Sequence, residues 1–203
     1  MKRQIKKKSC AIVLAALSLC STQAIAAIHH TDLLLTCKVF STSSDGTKYY
    51  LKVNFPSGTG NVANLSYTTT LSSASIFTFA RRDGWTHSTR GTAYYMTHGP
   101  YGGCVGLTGT TTPAVGTLVA ANLGCSDVSR HKVLIENISG ETTKFAIGIE
   151  STSYWFDGWG GLADGNYMKL NVANSGPYSV NQRFSTTGCK SATNIANRPR
   201  GGT

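Results

Sequence analysis

The sequence is short of acid. Nine Asp and Glu stand against 19 Lys and Arg in 203 residues, and charged residues make up only 14% of the chain. It contains no G-x-S-x-G elbow, no H-E-x-x-H pair and no phosphate-cradling glycine loop, so the usual hydrolase, metalloprotease and nucleotide-hydrolase constellations find no support. No two cysteines have the C-x₂-C spacing of a zinc knuckle. No long stretch repeats apolar residues at three- and four-residue intervals behind a capping residue, which speaks against a helical bundle. Heptads and internal repeats are not visible. Ser151-Thr152-Ser153 after Glu150 matches a run found in secreted ADP-ribosylating toxins, but no later Glu follows to act as the catalytic acid. Outside the first eight residues the cations are scattered, and Arg81-Arg82 is their one doublet. That is not the footprint of a nucleic-acid binder, and no nucleic-acid partner is expected.

What is present begins with an address. Lys2, Arg3, Lys6, Lys7 and Lys8 precede an apolar run from Ser9 to Cys20, and Ala24-Ile25-Ala26 supplies small residues at a cut. This order predicts a secretory signal over residues 1–26, with Ala27 as the fallback cut. The apolar run is shorter than the roughly 20 residues a spanning helix needs, so no membrane span is expected once it is removed. Five cations leave with it and no acids do. The remainder holds 14 basic and nine acidic residues, a net of +5. The expected organisation is a β domain over 27–190 and a flexible tail over 191–203.

Four cysteines remain in the exported part: Cys37, Cys104, Cys125 and Cys189. An even number in an exported chain reads as two disulfides and an oxidising destination, secreted, periplasmic or on the cell surface. Three pairings are possible, and spacing alone does not choose among them. The expected one joins Cys104 to Cys125 across a local loop and Cys37 to Cys189 from first strand to last.

The body reads as strands. Tyr49, Leu51, Val53 and Phe55 alternate with Tyr50, Lys52 and Asn54, a period of two. Leu33–Phe40 and Ser75–Ala80 are β-rich. His131–Asn137 and Thr143–Glu150 flank the turn residues Ser139-Gly140-Glu141 and predict a hairpin. Tyr167–Val172 and Tyr178–Phe184 read as closing strands. Many short strands without helices predict an all-β, antiparallel sandwich or barrel, stapled by disulfides.

The richest functional signal is the stretch from Ser153 to Tyr167. Trp155 and Trp159, two of the three tryptophans, fall within it among glycines, Asp157, Asp164 and Asn166. The glycines predict an irregular backbone that leaves some rings exposed. Sugar rings stack their C–H faces on such rings, while Asp and Asn take the hydroxyls in hydrogen bonds. Trp85 and Tyr95, from a second aromatic stretch, are candidates for an opposing wall. The plainer alternative is that Trp155 and Phe156 belong to the core and the Asp-Gly and Gly-Gly pairs to turns. Asp157 and Asp164 are the one acid pair worth testing as hydrolase carboxylates, although turn roles fit them better.

Histidines offer two metal geometries. A cut after Ala26 would expose Ala27-Ile28-His29, a square-planar donor set for Cu(II) or Ni(II). His87, His98 and His131 could supply zinc ligands, although polar loop histidines are the commoner use of such residues. No cofactor or metal is expected. In outline the chain is similar to exported subunits of bacterial surface fibres, with its leader, Thr/Gly/Asn-rich strands and few charges. It departs from chaperone–usher pilins in its Pro199-Arg200-Gly201-Gly202-Thr203 ending and its early first cysteine. The reading is an exported binding protein, an adhesin that recognises a glycan or host-surface receptor. The alternatives are a secreted toxin component or small hydrolase, and a structural fimbrial subunit partnered by other fibre subunits.

Overall fold

A computed structural model of the chain describes residues 35–55, 63–80, 92–98, 103–109, 112–125, 129–150, 152–172 and 178–191. The expected signal, the tail beyond 191, Trp85 and His87 lie outside the described residues. Twelve strands follow one another: β1 (Leu35–Thr42), β2 (Lys48–Asn54), β3 (Ala63–Thr68), β4 (Phe77–Ala80), β5 (Thr92–His98), β6 (Cys104–Gly106), β7 (Ala120–Leu123), β8 (Val133–Asn137), β9 (Phe145–Ile149), β10 (Tyr154–Gly158), β11 (Met168–Val172) and β12 (Ser185–Ser191). Every pairing between them is antiparallel.

The expected choice of sandwich or barrel resolves to a barrel, because the ladders close on themselves. Seven strands form one ring in the order β5–β4–β1–β2–β3–β7–β6 and back to β5. A second closure runs β1–β4–β5–β8–β9 and returns through Phe145 and Phe184, which exchange both backbone bonds at 2.9 and 2.8 Å. Phe184 leads directly into β12, and β12 pairs with β1. The strands outside this second, six-stranded ring form three hairpins: β2–β3, β6–β7 and β10–β11. The chain is thus three four-stranded units, each a barrel strand, a hairpin and a second barrel strand. The hairpins meet one another. Ala63 pairs with Ala121, Leu118 with Lys169, and Ser66 with Tyr167. This threefold repetition of architecture has no counterpart in the sequence.

Apolar alternation explains which face turns inward. Val39, Leu51, Val53, Phe77, Phe79, Tyr94, Met96, Val133, Ile135, Ile147 and Phe156 all lie in one buried cluster. Burying each such side chain contributes about 1.5–3 kcal/mol, and together they drive collapse of the ring. The hairpin expected around Ser139-Gly140-Glu141 is present as β8–β9, paired from Val133–Ile149 to Asn137–Phe145. Phe55, read as the last inward residue of β2, is instead exposed just beyond the strand. The strand expected over 178–184 is displaced. Val180–Gln182 form a 3-10 turn, and the closing strand follows at Ser185–Ser191. Its sequence, STTGCKS, lacks apolar alternation, because backbone pairing to β1 and one cysteine hold it in place.

Both expected disulfides are present. Cys37 and Cys189 join β1 to β12 with Cα atoms 4.3 Å apart, and Cys104 joins Cys125 at 5.1 Å. At the first, Thr36 opposes Lys190 while Lys38 opposes Thr187, so Gly188 and Cys189 together face Cys37. Gly188 takes φ +62°, the left-handed first position of a bulge that only glycine fills at little cost. The bulge turns Cys189 towards its partner. The two bridges place the folded chain in an oxidising compartment. They differ in loop length, at 152 and 21 residues. By chain entropy the long one stabilises by about 5 kcal/mol and the short one by about 3. Urea unfolding of a Cys37→Ala/Cys189→Ala double variant should therefore show a larger loss than Cys104→Ala/Cys125→Ala. An equal or reversed order would contradict the terminal-staple role.

Candidate functional site

The aromatic stretch becomes the third hairpin. Tyr154–Gly158 form a regular strand where an irregular backbone was expected, and the irregular part starts at Trp159. On one face of β10–β11, Phe156, Gly158, Met168 and Leu170 turn to the core. Gly158 is required there: a Cβ on it would lie 2.6 Å from Cε2 of the buried Tyr67. Trp155, Asp157, Lys169 and Asn171 occupy the opposite face, since cross-strand partners share a side.

That second face is partly covered by the 178–182 segment. Trp155 is only 3% exposed and meets Tyr178 edge-on at 5.3 Å between ring centres. Its ring also lies 2.9 Å from where a Cβ of Gly148 would sit. The plainer alternative, core packing, describes Trp155 and Phe156. Asp157 is 4% exposed, and its Oδ2 accepts from Nδ2 of Asn171 at 3.1 Å. Burial pushes its carboxyl above the usual range, against hydrogen bonds from Asn171, Gln182 and Asn181 that hold it down. Nearby, Gln182 donates to the Val172 carbonyl at 2.9 Å, and the Tyr67 hydroxyl meets that of Ser41 at 3.1 Å. Burial drives the Tyr67 phenol well above its ordinary value, so it stays protonated. Asp157 is thus one member of a buried polar seam between the hairpin and the barrel.

The tip is organised differently. Trp159 is 40% exposed and Tyr167 is 41% exposed. Asn166 spans the loop from inside, with Nδ2 donating to the carbonyls of Trp159 at 3.3 Å and Gly161 at 3.1 Å. Its carbonyl accepts from the Tyr67 amide at 2.9 Å, and the Gly165 amide donates to the Tyr67 carbonyl at 2.9 Å. Asp164 Oδ1 accepts from the Thr69 amide at 2.9 Å. Asn166 and Asp164 therefore fasten the loop to β3. From the other side, the Gly116 amide donates to the Leu170 carbonyl, and the Leu170 amide to that of Thr117, both at 2.8 Å. The Trp159 ring lies over Gly116, its Cη2 3.7 Å from where a Cβ would be. The Lys169 ammonium stands 4.9 Å from the ring centroid. Leu118, opposite Lys169, is also exposed, as is Val115.

Of the residues singled out from sequence, Trp155, Asp157, Trp159, Asp164 and Asn166 share this hairpin. Trp159 presents an exposed ring, while Trp155 and Asp157 lie beneath the surface. Tyr95 stands on barrel strand β5 opposite Ala80, outside the hairpin. Tyr167, Lys169 and Leu118 were not singled out as site residues. The signal for the first two is alternation: they flank Met168 and precede Leu170, both buried, so a period of two turns them outward. Leu118 gives no such signal, because its place follows from a contact between hairpins. His98 is half-buried beside the rings of Phe55 and Phe77, and desolvation lowers its pKa. His131 lies in the 3-10 turn Ser129–His131, with its pKa lowered by burial and by Arg130. Among the described residues no three His, Cys, Asp or Glu side chains come together as a metal site.

No protein-family model matches the sequence, and no curated protein sequence does either. Solved structures do match the fold. A designed threefold-symmetric protein, ThreeFoil, superposes with a TM-score of 0.57 at 11% identity, over 74% of this chain and 96% of its own. A Culex salivary protein of the Cysteine and Tryptophan-Rich family gives 0.55 at 12%, covering 78% and 97%. A proteinase inhibitor from Coprinopsis cinerea gives 0.53 at 15%, covering 76% and 97%. At such identities the likeness concerns the fold alone. Together with the three four-stranded units, it makes the architecture β-trefoil-like.

The buried carboxyl gives a pH signature. A folded-state pKa raised above the unfolded value of about 3.9 means that the native state holds the proton longer. That contribution to stability is complete below about pH 4 and is lost as pH rises through the folded value. Asp157→Asn removes the titration. The stability of the variant relative to the parent should therefore rise between pH 4 and 7 in thermal or urea unfolding. A relative stability that falls over this range would contradict the assignment.

Proposed function

We propose that the chain is an exported glycan-binding protein whose ligand face is the tip of the third hairpin. The observation that carries this reading is the half-exposed Trp159, with the exposed Tyr167 in the same hairpin, on a loop fixed by bonds that Asn166 donates and Asp164 accepts. An aromatic plane held in one place stacks on the C–H face of a sugar ring with little ordering cost. The expected leader and the two bridges agree with an extracellular task. On this reading the partner is a glycan or a glycan-bearing host surface, and an adhesin is one use of such a protein.

The alternatives draw less support. For a hydrolase, Asp157 is buried and bonded to Asn171, and Asp164 is occupied with the Thr69 amide. For a fibre subunit that borrows a strand, an unfilled edge would be needed, whereas this barrel is closed by its own strands.

A glycan array probed with residues 27–203 tests the reading. Trp159→Ala should weaken binding to any sugar found by about 2 kcal/mol, roughly 30-fold, with the unfolding midpoint unchanged. Tyr167→Ala should weaken it less. Trp155→Ala should instead destabilise the fold by about 3–5 kcal/mol, so loss of binding there reports unfolding. Undiminished binding by a folded Trp159→Ala variant would overturn the placement of the site.

A further inference from the structure

We infer that the hairpin tip selects saccharides that carry a carboxylate, with Lys169 as the residue that reads the charge. This deepens the glycan-binding reading and rests on it. The juxtaposition is specific. Lys169 and Tyr167 flank the buried Met168 and so leave the same side of the chain, and the Lys169 ammonium stands over the ring of the 40% exposed Trp159, 4.9 Å from its centroid. An ammonium has three donors, and the ring engages it only electrostatically. Among the described residues, no carboxylate pairs with Lys169. The described ion pairs are Lys132–Glu150, Lys144–Glu141 and Arg183–Glu141.

The two acids of this hairpin are committed elsewhere. Asp157 is the cross-strand partner of Lys169, yet its Oδ2 accepts from Asn171, and burial favours its neutral form. Asp164 is turned to Thr69. A neutral sugar stacked on Trp159 would leave the ammonium facing only solvent and hydroxyls. A sugar carboxylate beside the stacked ring would receive a charge-assisted hydrogen bond, about twice the strength of a neutral one. The excess of basic over acidic residues in the exported chain favours approach of such a ligand. Two sources of this chemistry exist, sialylated glycans and uronic-acid glycans, and the experiment separates them.

The test prints sialyllactose, its methyl ester, lactose, and hyaluronan oligosaccharides on one array and probes it with the parent protein, Trp159→Ala, Lys169→Gln and Lys169→Arg. The inference expects the parent to bind at least one of the two free-carboxylate probes. If that probe is sialyllactose, its ester and lactose should bind at least tenfold more weakly. Lys169→Gln should lose about tenfold on the carboxylate probe with an unchanged unfolding midpoint, and Lys169→Arg should retain binding. Binding should also weaken as salt rises. Sialyllactose bound alone, or hyaluronan bound alone, identifies the source. Equal binding of lactose and sialyllactose that depends on Trp159 but not on Lys169 would overturn the charge selection and leave the glycan reading standing. No binding by the folded parent to any carbohydrate, on this array or the wider one, would overturn both.

Discussion

Closure is the constraint on which the rest of the molecule depends. Six barrel strands become a ring only because Phe145 and Phe184 exchange two backbone hydrogen bonds while β12 pairs with β1. Without that join, β9 and β12 would present unpaired amides and carbonyls, and the buried aromatic cluster would open at one side. Cys37–Cys189 fixes the same seam covalently, joining the first described strand to the last. The staple acts where the chain has spent the most entropy, on a contact between segments 152 residues apart.

The candidate site inherits its rigidity from that ring. The three hairpins pair with one another through Ala63–Ala121, Leu118–Lys169 and Ser66–Tyr167, so each is held by its neighbours and by its own barrel strands. The third differs from the others in carrying Trp159 at its tip, clamped by Asn166 and Asp164 to β3 and resting over Gly116. Below it, Asp157, Asn171 and Gln182 form a polar seam that sets the hairpin against the barrel. Two acids that look alike in sequence thus serve different ends. One is buried in the seam, and the other pins a loop.

Much of this architecture is legible in the amino-acid sequence. The alternation in Leu51 and Val53 and in Phe145, Ile147 and Ile149 marks real inward faces, and turn chemistry around Gly140 finds the β8–β9 hairpin. The even count of cysteines beyond the expected leader implies the two bridges. Three features are hidden, each for a physical reason. The closing strand is polar and placed by backbone bonds, which leave no apolar pattern. The threefold repeat is one of backbone geometry, and many side-chain sets of suitable volume satisfy it, so sequence periodicity is absent. The aromatic stretch divides at Gly158, with a strand before it and a loop after, because the backbone must pass against the Tyr67 ring there. Composition signals aromatic density but not which ring faces water.

Site-resolved amide hydrogen exchange at neutral pH addresses closure most directly. If the ring is one cooperative unit, the amides of Phe145, Phe184 and Leu170 should exchange only through global unfolding, with protection equal to that of Leu65 within the first hairpin. Exchange of Phe145 and Phe184 at loop rates, while Leu65 stays protected, would show that the seam is open and that the ring does not hold the third hairpin in place.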